Sequence, residues 1–219
     1  MQLSLIQLTS EAAGGMSLWG MVLKGGWLML PIFAASVVAI YIICERYVTI
    51  RRTGVTDEAL LERVGERLRR GDHAGALTEC ETEGTPLARV LAKGIRVREE
   101  DAAEIRRAME ETANREVSAI ERGLPTLATC AGIAPMIGFL GTVVGMVQSF
   151  YDMSMAGSSI DIGLLSRGIY TAMITTVAGL IVGIVGQLGY NFLVARVDRL
   201  VARMEFYASE LVELLHAKK

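Results

Sequence analysis

Hydroxyl and carboxamide side chains stand out in two stretches of this chain that carry no charge at all. No Asp, Glu, Lys or Arg falls between Arg122 and Asp152, where Thr142 sits, nor between Arg167 and Arg196, where Thr171, Thr175, Thr176 and Gln187 sit. In apolar surroundings such groups return their protons to backbone carbonyls, bridge neighbouring helices, or donate to a charge that visits them. None of them holds a proton in transit, so any acid–base work along these stretches needs a carboxylate from elsewhere. The other chemistry-bearing residues are scattered. Cys44, Cys80 and Cys130 lack CxxC spacing, and His73 and His216 lie alone among charges. With no nucleophile–base pair, phosphate-binding loop or metal set, the sequence predicts neither an enzyme nor a bound cofactor or metal.

The polar groups must be positioned by the runs that contain them. Residues 127–150 and 169–191 each exceed the roughly 20 apolar residues that cross a bilayer core, which predicts a membrane helical hairpin. Helical periodicity puts Pro135, Gly138, Thr142, Gly145 and Ser149 on one face of the first run. Thr176, Gly179, Gly183 and Gly186 share a face of the second, with Gln187 beside them. Counting inward from the bend, Thr142 and Thr176 lie level, roughly 12–14 Å inside the outer boundary. Two readings of these faces stand. Gly138, Gly141, Gly145, Gly179, Gly183 and Gly186 suit close helix packing, with a helix kink at Pro135. Alternatively Thr142, Thr176, Thr171 and Gln187 line a lumen, with Thr175 adding a further hydroxyl, because polar groups at depth need partners or water.

The sequence as a whole is 52% hydrophobic and 21% charged, with the charges concentrated in 45–122 and 196–219. That distribution predicts an all-α integral membrane protein with three transmembrane helices and long helices extending into the cytoplasm. Residues 1–26 form an N-terminal segment, in which Leu18–Leu23 could lie on the membrane surface beside Trp19. Residues 27–44 form the first span, ended by Glu45, Arg46, Arg51 and Arg52. Residues 45–123 read as a soluble helical region, 124–195 as the hairpin with its turn at 151–167, and 196–219 as a C-terminal helix. The arginines that follow the first and third spans, set against Asp152 and Asp161 in the turn, put the N-terminus in the periplasm and the C-terminus in the cytoplasm. The net charge of −2, with Arg and Glu interleaved, excludes a nucleic-acid partner.

The segment Ala134-Pro-Met-Ile-Gly-Phe-Leu-Gly-Thr-Val-Val-Gly-Met146 resembles the second-span signature of the MotA/TolQ/ExbB proton-channel family. Residues 169–191, ending Gly189-Tyr-Asn191 before Arg196, resemble its last span, and Gly71-Asp-His-Ala-Gly-Ala-Leu77 extends the likeness into the soluble region. The three-span plan and loop size look most like ExbB and TolQ. The resemblance implies a bacterial inner-membrane homopentamer around the membrane helix of an ExbD- or TolR-like partner, which supplies an aspartate. It also implies coupling to a TonB- or TolA-like protein, with membrane lipids around the ring. Thr142 and Thr176 then occupy the positions of lumen-lining threonines. Enterobacterial members carry a glutamate where this chain has Thr171. The expected function is a proton-channel stator subunit energising TonB-type transport or Tol-type envelope work; the alternative is a non-conducting membrane scaffold.

Overall fold

The computed structural model describes residues 26–53, 57–155 and 162–216, and every regular element among them is helical. The helices are α1 (Met29–Thr53), α2 (Asp57–Arg70), α3 (His73–Glu83), α4 (Pro86–Arg96), α5 (Ala102–Ile120), α6 (Leu124–Met155) and α7 (Ile162–His216). Three of them, over Met29–Arg51, Leu124–Met155 and Leu165–Leu215, each contain an 18-residue window apolar enough to cross a membrane, with mean hydropathies of 1.7, 1.9 and 2.0. The N-terminal surface segment expected around Trp19 lies outside the described residues.

Charges end the apolar runs without ending the helices. Helix α1 continues past Cys44 to Thr53, and α7 runs for 55 residues through Arg196, Arg199 and Arg203. Glu, Arg, Leu and Ala are all good helix formers, so a change of solvent along the axis need not break the hydrogen-bond ladder. Helix α6 likewise continues beyond the second apolar run to Met155, which places Asp152 on α6.

The chain divides into two compact units. The first takes the described residues up to Tyr41 together with Thr126–Gly189. Its outward side chains are apolar: Phe33, Met136, Phe139, Val147, Met173 and Leu188 are all exposed, as lipid-facing surface would be.

The second unit comprises Ile42–Pro125 and the chain from Tyr190 onward. Its centre is α4, which buries Leu87, Val90, Leu91 and Ile95 and packs against α2, α3 and α5. Leu60, Val64, Ile105, Met109, Met204 and Leu211 complete the core. Local chemistry sets the turns. Asp72 caps α3 by accepting from the Gly75 amide at 2.8 Å, and Thr85 caps α4 with Pro86 in its first turn. Gly84 ends α3 at φ +62°, and Gly123 joins α5 to α6 at φ +90°, both left-handed conformations that a Cβ would strain. Arg63 and Arg67 converge on Glu79, tying α2 to α3, and Arg89 grips Glu116 with two nitrogens, tying α4 to α5.

Candidate site in the membrane hairpin

Small residues let α6 and α7 come within backbone contact of one another. A Cβ on Gly138 would lie 2.8 Å from the Thr175 carbonyl oxygen, and one on Gly179 would lie 2.5 Å from the Ala134 carbonyl oxygen. Gly141 abuts the Thr175 side chain, Gly145 abuts Ala172, and Gly186 abuts Ala131. Gly183 packs on the ring of Pro135 and on the Ala131 carbonyl, which lacks its helical amide donor because residue 135 is proline. Helix α6 continues through Pro135. All six glycines assigned to packing therefore sit on one antiparallel contact surface.

Two threonines spend their hydroxyls on that surface. Thr176 Oγ1 donates across to the Gly138 carbonyl at 2.8 Å. Thr175 is 2% exposed; its hydroxyl lies 2.7 Å from the Ala172 carbonyl and 3.3 Å from that of Gly138. Thr175, read as a further lumen hydroxyl, is instead an interhelical packing group. The reason is periodicity: it falls between Ala172 and Gly179 on the contact stripe, whereas its neighbour Thr176 falls on the stripe's edge.

Thr142 donates to the Phe139 carbonyl at 2.6 Å and is half-buried. The contact register pairs Gly141 with Thr175 and Gly138 with Thr176, so Thr142 and Thr176 lie within about one turn of the same depth. At 100° per residue, Thr142 sits about 55° off the middle of the α6 stripe. Thr176 and Gln187 sit about 60–85° off the α7 stripe, toward the same flank because the helices are antiparallel. Thr171 falls about 75° the other way. The hairpin thus brings Thr142, Thr176 and Gln187 to one flank and leaves Thr171 on the opposite one. Thr171 is half-buried, and its hydroxyl has no partner among the described residues. Sequence periodicity alone could have separated Thr171 from Thr176, since five residues turn a helix through about 140°.

No group of three or more potential metal ligands occurs among the described residues. Neither apolar run holds a carboxylate, so the flank offers donors and no acid.

Comparison with known proteins decides what such a hairpin belongs to. Residues 82–206, more than half of the chain and including the whole of the hairpin, match the model of the MotA/TolQ/ExbB proton channel family. The chain belongs to that family. It is 30% identical over 202 residues to the putative biopolymer transport protein ExbB-like 1 of Synechocystis, covering 88% of this chain and 75% of that protein. It is 28% identical over 183 residues to the putative biopolymer transport protein ExbB homolog of Methanothermobacter thermautotrophicus, covering 83% of this chain and 64% of that one. The Tol-Pal system protein TolQ of Pseudomonas aeruginosa matches at 33% over 114 residues, 52% of this chain and 49% of TolQ. The chain thus spans less than two thirds of the length of two of these three relatives. Family membership and the three apolar helices make it a multi-pass membrane protein of the ExbB/TolQ type.

Proposed function

We propose that this chain is the stationary proton-path subunit of an inner-membrane motor. Five copies surround the membrane helix of an ExbD- or TolR-like partner and energise TonB-type transport or Tol-type envelope work through a TonB- or TolA-like protein. The N-terminus faces the periplasm and the soluble helices face the cytoplasm, following the arginines beyond each span. The observation that carries the reading is that a member of a proton-channel family presents Thr142, Thr176 and Gln187 on one flank of two charge-free membrane runs.

The physics follows from what that flank lacks. An ionised carboxylate in an apolar lumen is costly unless it meets donors, and a protonated one crosses freely. Thr142 can redirect its hydroxyl from the Phe139 carbonyl to a visiting carboxylate at small cost, because that carbonyl keeps its helical N–H partner. The partner's aspartate would therefore be held while ionised at the threonine level and released on protonation. Alternating between those states under a proton gradient turns the partner within the ring.

The Thr176–Gly138 hydrogen bond favours a second reading, a non-conducting scaffold in which threonine only joins helices. Thr142→Val and Thr176→Val separate the two, since valine keeps the shape and removes the hydroxyl. A motor assembles at native mass with its partner but loses energised uptake; a scaffold keeps full activity in both variants.

A further inference from the structure

Arg196 carries a charge that no carboxylate among the described residues answers. It belongs to none of the ion pairs and makes no hydrogen bond among the described residues, and its Nε is enclosed without an acceptor. Asp198 is two residues on and so points to the far side of α7. In place of a carboxylate, the guanidinium has two aromatic faces. Its Cζ stands 4.7 Å from the centroid of the Phe192 ring and 5.3 Å from that of Tyr47, and the two rings stack 6.2 Å apart. Cation–π contact offsets part of the desolvation and holds the plane of the fork fixed. The terminal Nη atoms remain open, in contrast to Arg46, whose Nη groups are spent on Glu45 and on the Ala119 and Ile120 carbonyls.

Position identifies the missing anion. The third apolar run ends at Tyr190 and Asn191, and the first at Cys44, so Arg196 and Tyr47 lie within about a turn and a half of the point where hydrocarbon gives way to charge. Phosphates of the membrane surface occupy that level, and tyrosine is favoured there. Arg51, unpaired among the described residues, lies one turn beyond Tyr47 on the same face of α1. We propose that Arg196, clasped by Tyr47 and Phe192, is a binding site for the phosphodiester of an anionic phospholipid, its open nitrogens taking two phosphate oxygens. The site does not depend on proton conduction.

The test titrates the delipidated full-length protein in detergent with phosphatidylglycerol or phosphatidylcholine and counts retained lipids by native mass spectrometry. Wild type should retain phosphatidylglycerol about five- to tenfold better. Arg196→Met should erase the preference, and Arg196→Lys, which keeps the charge but loses the fork and the stacking, should leave an intermediate one. If Arg196→Met fails to fold by circular dichroism, the lysine variant carries the comparison. Equal retention of the two lipids by wild type, an undiminished preference in every folded variant, or displacement of the lipid by millimolar inorganic phosphate would each overturn the assignment.

Discussion

Gly179→Ala tests whether backbone contact holds the hairpin together. The new methyl would meet the Ala134 carbonyl oxygen at 2.5 Å and the Gly138 Cα at 3.1 Å, both backbone atoms that no rotamer change can move aside. Restoring ordinary contact requires the helices to part locally by about 0.9 Å, which forfeits dispersion along the stripe. The same movement would stretch the Thr176–Gly138 hydrogen bond from 2.8 Å to about 3.7 Å, beyond hydrogen-bonding range. Overpacking costs about 1–3 kcal/mol and the lost interhelical bond about 0.6 kcal/mol, against about 1 kcal/mol gained in helix propensity. The expected net loss is about 0.6–2.6 kcal/mol. Gly132→Ala is the matched control, because a Cβ there meets nothing within 4 Å and should stabilise by up to about 1 kcal/mol. Unfolding in mixed micelles titrated with SDS and followed by circular dichroism measures both. A Gly179→Ala protein as stable as Gly132→Ala would refute the close-contact argument.

Three predictions concern the second unit. Burial, aided by Glu79 and Glu81, pushes the Cys80 thiol up to about 11, so its thiolate is scarce at neutral pH. Labelling of Cys80 by a water-soluble disulfide reagent at pH 8 should run at least about a hundredfold slower than that of an exposed thiol and quicken with rising pH. The Gly75 amide holds the Asp72 carboxyl below its ordinary 3.8, with Arg67 adding to the effect. Its folded value being depressed, the cap is fully present above pH 4 and lost as pH falls through that lowered value. Protection of the Gly75 amide from hydrogen exchange should therefore hold from pH 7 to 4 in wild type and be weakened throughout in Asp72→Ala. Glu116→Gln removes the carboxylate that raises the Arg89 guanidinium. Arg89 is half exposed, so the expected loss is under about 1 kcal/mol and shrinks in high salt, measurable by chemical denaturation.

Much of the architecture was legible because a bilayer demands long stretches without charge, and only three places in the chain supply them. The six glycines were legible by their spacing alone. What the spacing could not separate was Thr175 from Thr176: adjacent residues on a helix are about 100° apart, and only the location of the partner helix tells which is buried. Grouping Thr171 with the lumen residues weighed its depth and polarity without its angle. Helix ends were misleading for a different reason. Glu45 and Arg196 mark where the solvent changes, and α1 and α7 continue past both because side-chain charge does not interrupt backbone hydrogen bonds. The aromatic clasp on Arg196 was hidden because Tyr47 and Phe192 are far apart in sequence and meet only through packing.

The central claim is that Thr142 supplies a hydroxyl to a passing carboxylate. The most direct test is proton flux into liposomes containing the chain and its partner at fixed membrane potential, comparing Thr142→Ser with Thr142→Val. Serine keeps the donor and should retain flux within about twofold, whereas valine should lose about tenfold or more while the complex keeps its native mass. Equal flux through the two variants would contradict it.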